Sequence, residues 1–371
     1  MKKDLFSPYR LGQLELPNRL VMAPMTRLRA YADGQAGPLM KVYYAQRASA
    51  GLIITECTKV SEQGHGLVCS PGISTAAQAT AWGVVTRAVH EAGGHIYLQL
   101  WHCGRISHSS VRGGELPVAP SAVAVKGQYR SPVGSLDFET PRALETAEVS
   151  GIVDDFRSAA RYALEAGFDG VELHGAYGYL VDEFLQDASN RRGDRYGGTP
   201  LNRCRFALEV VEALVDVWGA ERIGMRISPS TRVNDMLDSN PLATFGHLVR
   251  ELNRMRVGYL HVMEPDANDL ATGLVEIRET TRTFRAMFDQ TVITNVGYSY
   301  ETGNAVLASG VADLVAYGKL FLANPDLPQR FRVNAPSNPM DFATFYGGGA
   351  KSDKGYTDYP ALTSAADAGA G

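Results

Sequence analysis

The sequence predicts an α/β fold, a (β/α)₈ TIM barrel with an inserted β-rich cap after strand 3. Short apolar runs of strand length alternate with longer segments of helical period, and eight such pairs follow one another along the chain. Most of the runs are apolar on both faces, as parallel strands covered by helices are. The Gly-x-Gly-x-x-Gly fingerprint of an open, doubly wound sheet does not follow the first run. A closed barrel is therefore favoured over an open sheet.

The predicted strands are runs of six to nine mostly apolar residues, namely 20–25, 52–60, 95–102, 170–176, 222–229, 259–265, 291–297 and 313–321. The predicted helices between them show apolar residues at intervals of three and four, and they cover 76–92, 150–167, 202–218, 244–255, 275–288 and 301–308. The helix at 150–167 illustrates the boundary signals, because it starts on a Ser and stops on a Gly.

One interval interrupts this alternation. Residues 103–146 separate the third strand from the next helix and contain scattered Gly and Pro between short β-like runs. A segment this long is usually a functional insertion, and this one leaves the C-terminal end of a strand, which is the active-site face of a barrel. We expect a single barrel domain over residues 1–362 with a cap at about 103–146, and a disordered tail at 363–371 because that segment is small and polar.

Composition excludes several classes of protein. The 371 residues carry 36 Lys plus Arg against 40 Asp plus Glu, a formal charge of −4 that does not suit nucleic-acid binding. Neither an exported leader nor an uninterrupted apolar stretch of about 20 residues is recognisable, so no membrane association is expected. Four cysteines are too few for a disulfide framework in a chain of this length. We expect a cytoplasmic protein.

Polar residues at the strand ends indicate where chemistry would occur. Gln99 and Arg226 each interrupt an apolar strand, so they bind either a polar planar ligand or a partner inside the protein. Gly297 follows the seventh strand, and Gly318 and Lys319 follow the eighth, where barrels commonly bind phosphate. Tight turns explain these glycines equally well.

The sharpest local signal is the segment HGAYGYL after the fourth strand, which contains His174, Tyr177 and Tyr179. Two of these groups could polarise a substrate carbonyl, and a phenol could deliver a proton. His102, Cys103 and His108 could ligate a metal, but their spacing matches no usual zinc site. The sequence therefore predicts a catalytic cluster without a metal.

Taken together, these segments resemble the Old Yellow Enzyme family of ene reductases. The resemblance extends over nearly the whole chain and is carried by LFSPYRLGQLELPNRLVMAPMTRLRA (5–30), LQLWHCGRISH (98–108), GFDGVELHGAYGYLVDEFLQDASNRRGDRYGG (167–198), LFLANPDLPQRF (320–331) and TFYGGG (344–349). It implies a barrel that holds non-covalent FMN, takes reducing equivalents from NADPH or NADH, and reduces an activated alkene. The oligomeric state would be a monomer or a homodimer.

The resemblance also implies roles for individual residues. The residues along the flavin ring would be Pro24, Met25, Thr26 and Cys57, and those at its pyrimidine side would be Gln99 and Arg226. The residues at the phosphate would be Val296, Gly297, Gly318 and Lys319. Those at the substrate would be Thr26, Trp101, His174, Tyr177 and Tyr346, with Tyr179 as the proton donor.

Four positions depart from the family pattern. Tyr177 stands where the family has Asn or His, Lys319 where it usually has Arg, and Cys57 where it usually has Ala or Gly. The segment 294–299 has one Gly where two are common. Because Tyr177 alters the carbonyl site, two alternatives stay open: a barrel acting mainly on nitro compounds or nitrate esters, and a non-catalytic flavin-binding protein.

Overall fold

The strands follow the order in which the apolar runs occur. The computed structural model describes residues 3–131 and 133–362. The strands in these residues are β1 (Tyr9–Leu11), β2 (Leu14–Leu16), β3 (Leu20–Met22), β4 (Leu52–Ile54), β5 (Thr58–Lys59), β6 (Ile96–Trp101), β7 (Val118–Ala119), β8 (Gln128–Ser131), β9 (Gly134–Asp137), β10 (Arg142–Ala143), β11 (Gly170–Gly175), β12 (Ile223–Ile227), β13 (Tyr259–Met263), β14 (Thr291–Asn295) and β15 (Leu314–Tyr317).

Eight of these strands form the closed parallel barrel that the sequence predicts. Their order around the barrel is β11, β12, β13, β14, β15, β3, β4 and β6, and pairing of β6 with β11 closes the ring. The predicted fold class is thus confirmed. The eighth run was predicted too long, because β15 ends at Tyr317 and a helix begins at Lys319.

The helices are α1 (Pro38–Ala45), α2 (Ala76–Glu91), α3 (Thr146–Glu165), α4 (Leu180–Leu185), α5 (Pro200–Trp218), α6 (Pro241–Met255), α7 (Ala267–Ala271), α8 (Thr280–Arg285), α9 (Tyr300–Ala308), α10 (Lys319–Ala323) and α11 (Leu327–Arg332). The long ones cover the barrel, and their apolar faces pack on the strands in one large buried cluster.

The helix boundaries differ most from the prediction at α3 and α8. The helix predicted at 150–167 begins at Thr146, because the side chain of Glu148 accepts a hydrogen bond from the backbone N–H of Glu145 at 2.7 Å. The helix predicted at 275–288 covers Thr280–Arg285. It begins late because the Glu264 carboxylate, just beyond β13, accepts the first two backbone N–H groups of α8 at 2.8 Å each.

The segment after β6 contains the β-rich structure that the sequence predicts. Strands β8 and β9 form an antiparallel hairpin, and β7 pairs with β10. The Tyr129 hydroxyl donates to the Gly66 carbonyl at 2.7 Å, and Arg105 donates to the carbonyls of Val123 and Asn234. The first bond attaches the hairpin, and the other two attach the rest of the inserted segment, to the loops at the barrel mouth. The division into one domain over 1–362 stays a prediction, and the tail at 363–371 lies outside the described residues.

The N-terminal end of the barrel is filled by side chains. Leu11 and Leu16 of the β1–β2 hairpin pack with Tyr97 and Tyr259, whose ring centroids are 5.8 Å apart. Gly224 makes room for these rings, because a Cβ at this position would lie 2.0 Å from the ring of Tyr259. No helix in the described part of the chain has the length and hydropathy needed to cross a bilayer.

Candidate active site

A cavity of about 730 Å³ opens at the C-terminal ends of the barrel strands, a volume typical of sites for small molecules and cofactors. Residues at strand ends and in the loops that follow them line it, together with the β8–β9 hairpin and a C-terminal segment: Pro24, Met25, Thr26, Leu28, Leu67, Val68, Cys69, Gln99, Arg130, Ser131, His174, Tyr177, Tyr179, Arg226, Val233, Asn234, Tyr346, Gly347, Gly348 and Gly349. The structure therefore brings together nine of the residues that the sequence singled out.

The register of the barrel strands sets which side chains meet. Arg226 on β12 lies opposite His174 on β11 and opposite His261 on β13. Glu172 on β11 lies opposite Gln99 on β6. All five side chains are buried. Neighbouring strands thus place a layer of polar groups across the barrel interior, just below the cavity.

Gln99 has the internal partner that one interpretation of its position in an apolar strand predicts, and binding of a polar planar ligand stays a prediction. Its Nε2 donates to Glu172 Oε1 at 2.7 Å, which is a partner inside the protein. It also lines the cavity. The other carboxylate oxygen of Glu172 lies 2.9 Å from His261 Nδ1. The buried carboxylate therefore has a partner on each oxygen.

Within the described part of the chain, Arg226 has one hydrogen-bond partner and a buried nitrogen, Nε, without one. Its Nη2 donates to Asn295 Oδ1 at 3.0 Å, and Asn295 Nδ2 donates to the Ala316 carbonyl at 2.7 Å. Its Nε is buried and has no hydrogen-bond partner among the described residues. Because an unpaired buried donor is costly, this atom indicates a ligand that offers an acceptor.

His174 is held as a neutral imidazole. Burial, followed by the charge of Arg226, places the pKa of His174 well below its ordinary value. Its Nδ1 is buried and has no partner within the described chain. The imidazole ring packs edge-on against Tyr179 at 5.1 Å between centroids. A neutral ring can donate one hydrogen bond to a substrate carbonyl without carrying a charge into the cavity.

Tyr177 sits in a left-handed turn, with φ of +60°, and Gly178 follows at +74°. The backbone N–H of Tyr177 donates to Ser228 Oγ at 2.9 Å, that of Gly178 to Asp182 at 2.9 Å, and Asn234 Nδ2 donates to the Tyr177 carbonyl at 2.8 Å. These bonds maintain a conformation that is unfavourable for a residue with a side chain. The Arg226 guanidinium lies 5.8 Å from the centroid of the Tyr177 ring.

Tyr179 closes the same turn and borders the cavity. Its ring packs at 89° against Trp101, with 5.2 Å between centroids. Burial raises the pKa of the Tyr179 phenol well above its ordinary value, so the phenol stays protonated. Trp101 is fully buried behind this ring and is not among the residues that line the cavity. It therefore supports Tyr179 from behind.

Thr26 and Cys57 form a pair next to this cluster, because Cys57 packs with Trp101 and Tyr179. Thr26 lines the cavity, and its Oγ1 lies 3.2 Å from Cys57 Sγ, in the layer behind it. Burial raises the pKa of the Cys57 thiol to about 12, so the thiol is protonated. Cys57 can reach a ligand through the Thr26 hydroxyl, and its predicted contact with a flavin ring stays a prediction.

The residues predicted at a phosphate lie outside the cavity wall. Val296 and Gly297 have φ of +85° and +77°. A Cβ at Gly318 would lie 2.9 Å from the sulfur of Met25, so this glycine adjoins the cavity through Met25. The Nζ of Lys319 lies 5.8 Å from the ring centroid of Phe342. Their role at a phosphate stays a prediction.

Sequence reasoning missed the residues that support the site. Arg27 holds the segment that carries Tyr346, because it donates to the carbonyls of Phe345 at 2.8 Å and Gly355 at 2.7 Å. Glu172 and His261 were also missed, although each is a polar residue in an apolar strand, the same signal that identified Gln99 and Arg226. No signal in the sequence links Arg27 to a segment more than three hundred residues away.

The candidate metal ligands His102 and Cys103 lie in the loop that follows β6. Both are buried, and Cys103 Sγ donates to the His65 carbonyl at 3.2 Å. In residues 3–131 and 133–362, no group of three or more His, Cys, Asp or Glu side chains is placed to hold a metal ion.

Comparison with known proteins adds an independent observation. The model of the NADH:flavin oxidoreductase / NADH oxidase family matches residues 4–338. The chain is 46% identical over 362 residues to a putative 12-oxophytodienoate reductase 2 of Oryza sativa subsp. japonica, with 96% of this chain and 94% of the relative covered.

Solved structures agree with this match. Morphinone reductase in complex with tetrahydroNAD superposes with a TM-score of 0.91 at 46% identity, covering 97% of this chain and 98% of that one. The Old Yellow Enzyme homologue from Zymomonas mobilis superposes with a TM-score of 0.92 at 42% identity, covering 97% of this chain and 100% of that one.

Proposed function

Because the chain belongs to the NADH:flavin oxidoreductase / NADH oxidase family, we propose that it reduces the activated C=C bond of α,β-unsaturated carbonyl or nitro compounds. Membership confirms the resemblance to the Old Yellow Enzyme family, and the chain is an oxidoreductase that uses FMN and a nicotinamide reductant. The relatives are named as reductases of 12-oxophytodienoate and of morphinone, which supports this substrate class.

One observation carries the proposal. His174, Tyr177 and Tyr179 all line the cavity, and burial keeps the phenol of Tyr179 protonated. His174 and Tyr177 would act as hydrogen-bond donors to a substrate carbonyl. Gln99 and the unpaired Nε of Arg226 belong to the polar layer at the base of the same cavity. A polar planar group and an enone could therefore lie one above the other.

The site fits FMN because the unpaired donor of Arg226 and the amide of Gln99 match the polar edge of its pyrimidine ring. When bound, FMN supplies the hydride that reaches the β-carbon of the alkene. Gln99 and Arg226 would hold the ring, Thr26 would contact it from the strand β3 side, and Lys319 would hold the phosphate.

The chain's own residues would bind and protonate the substrate. His174 and Tyr177 would donate hydrogen bonds to the substrate carbonyl and so draw electron density from the alkene. Tyr179 would deliver its phenolic proton to the α-carbon. Burial keeps the pKa of Tyr179 high, so the proton remains on the phenol until a substrate carbanion develops.

A visible absorption spectrum tests the proposal directly. The purified protein should be yellow or become yellow with FMN, and anaerobic NADPH should bleach it. Addition of cyclohexenone should restore the colour. Absence of NAD(P)H consumption with every acceptor would contradict a catalytic role and favour a non-catalytic flavin-binding protein.

A second candidate function, reduction of nitro compounds or nitrate esters, is favoured by the position of Tyr177. A phenol ring lies near Arg226 where the family has a shorter amide or imidazole. Turnover on cyclohexenone compared with turnover on a nitrate ester, which has no C=C bond, distinguishes the two functions.

For Lys319→Ala, we expect weaker retention of FMN by roughly 10- to 100-fold, since a hydrogen bond to a charged group contributes about 1.5–3 kcal/mol. Riboflavin, which has no phosphate, should be retained as in the parent. Fluorescence titration of the deflavinated protein measures both affinities. Lys41→Ala, at an exposed lysine on α1, serves as the control. Equal loss of both flavins would contradict the assignment of Lys319 to the phosphate.

For Tyr177→Asn, we expect a lower KM for enones and tighter binding of phenols by roughly five- to tenfold, because the amide would donate a better-placed hydrogen bond than the bulkier phenol, a gain of about 1 kcal/mol. The shorter amide makes room, and Asn tolerates the left-handed backbone at +60° better than Tyr does. Tyr177→Phe keeps the ring and removes the hydroxyl, so it separates donation from volume. Unchanged phenol affinity in Tyr177→Asn would show that His174 alone binds the carbonyl.

A further inference from the structure

We propose that Glu172 is a positioning residue that orients the Gln99 amide, so that its oxygen faces the cavity and accepts a hydrogen bond from an imide N–H of the bound flavin. This inference rests on the proposed function, and it concerns two residues that have no assigned role, Glu172 and His261.

The first step is the pairing of the buried carboxylate. Glu172 is fully buried, and its two oxygens meet Gln99 Nε2 at 2.7 Å and His261 Nδ1 at 2.9 Å. An ionised carboxylate accepts hydrogen bonds and donates none. The Gln99 amide must therefore turn its NH₂ group toward Glu172.

The second step concerns the opposite end of that amide. With the nitrogen bound to Glu172, the Gln99 side chain offers its oxygen to the cavity that it lines. A glutamine without such a partner could rotate by 180° and offer a donor instead. By binding the amide nitrogen, Glu172 therefore keeps the Gln99 oxygen, a hydrogen-bond acceptor, at the cavity wall.

The third step concerns His261. Burial lowers the pKa of His261, so the ring is neutral and its Nδ1–H donates to Glu172. Its Nε2 is buried without a partner among the described residues. Because His261 lies opposite Arg226 in the register of β12 and β13, the Gln99–Glu172–His261 network borders the guanidinium.

The fourth step is the match to a ligand. Gln99 offers an acceptor, and Arg226 offers the unpaired donor Nε. This donor and acceptor suit an N–H group beside a carbonyl or ring nitrogen, which is the pattern of the flavin pyrimidine. The negative charge of Glu172 also partly offsets the positive charge of Arg226, since it opposes the lowering of the Arg226 pKa by burial.

The test compares FMN with 3-methyl-FMN, which lacks the imide N–H, in the full-length deflavinated protein. The parent should prefer FMN by roughly 5- to 150-fold, because an unpaired acceptor costs about 1–3 kcal/mol. In Glu172→Gln the Gln99 amide is free to rotate, so this preference should fall by about tenfold. In this variant the imide N–H of FMN loses its acceptor, the Gln99 oxygen. The methylated analogue has no N–H at this position, so its binding does not depend on that acceptor.

A second readout is the midpoint potential of the bound flavin. Glu172→Gln leaves the Arg226 charge without its counter-charge, so the potential should move to more positive values. A potential that is unchanged, or more negative, contradicts the electrostatic role of Glu172.

Two further variants keep the test decisive. If Glu172→Gln does not fold, Gln99→Leu takes its place in the test. This variant should lose the same preference for FMN. Asp238→Asn removes another buried carboxylate, paired with Arg203 at 2.8 Å and absent from the cavity wall, and it should lower stability while keeping the preference. A parent-like preference in Glu172→Gln or Gln99→Leu overturns the inference. Failure of the parent to bind either flavin would instead overturn the proposed function.

Discussion

Replacement of Tyr179 by Phe is expected to slow flavin reoxidation by cyclohexenone by roughly 10²–10⁴-fold, the usual contribution of a positioned general acid. Reduction by NADPH should stay close to the rate of the parent, because hydride transfer needs positioning and no side-chain acid. Phe keeps the ring that packs against Trp101 and His174. The change therefore removes the proton with little disturbance of the cavity wall.

Anaerobic stopped-flow measurements of the two half-reactions check this expectation. Reoxidation by molecular oxygen should be unaffected, because it does not use this proton donor. Tyr9→Phe is a matched control. Tyr9 belongs to the β1–β2 hairpin at the far end of the barrel, and its hydroxyl pairs with Thr291 at 2.8 Å. Enone reoxidation as fast as in the parent would show that water or Tyr177 supplies the proton.

The pH dependence of this step follows from the same phenol. Burial raises the folded-state pKa of Tyr179 above its ordinary value of 10.0. The protonated, donating form is therefore present below that raised pKa and is lost only as the pH rises through it. We expect enone reoxidation to show no decline attributable to Tyr179 up to about pH 10. A fall in the rate of enone reoxidation that is centred near pH 9 and disappears in Tyr179→Phe would contradict this expectation.

Gly224→Ala is expected to lower the free energy of unfolding by about 3 kcal/mol, at the upper end of typical overpacking effects. The added Cβ would lie 2.0 Å from Cζ and 2.2 Å from Cε2 of Tyr259, a ring with no exposed surface. Arg226 lies two residues further along β12. Displacement of this strand should therefore also weaken FMN retention.

Urea denaturation with and without FMN measures this effect. Gly151→Ala is the matched control, because nothing lies within 4 Å of its added Cβ on helix α3. Removal of a helical glycine should stabilise the protein by about 0.5–1 kcal/mol. If Gly224→Ala unfolds at the same urea concentration as the parent, the Tyr259 ring can move, and the barrel interior is less tightly packed than the distances indicate.

Much of the fold could be predicted from the sequence because its signals are local. Runs such as those containing β12 and β14 are apolar on both faces, and this pattern arises within a few residues of chain. His174, Tyr177 and Tyr179 lie within six positions, so one loop brings them together whatever the rest of the fold does. Gln99 and Arg226 were recognisable because each is polar in an apolar strand.

The tertiary structure decided which of these groups touch. Gln99 and Glu172 are 73 positions apart, and Glu172 and His261 are 89 apart. Their contacts depend on the register in which β6, β11, β12 and β13 close the barrel. The start of α8 is likewise set by Glu264, which comes from the end of another element. Hydrophobic periodicity specifies which face of a strand is buried, whereas pairing between distant strands depends on packing of the whole barrel. The sequence alone therefore determined the barrel and nine of the twenty residues that line the cavity, and the closed barrel determined the hydrogen bonds beneath it.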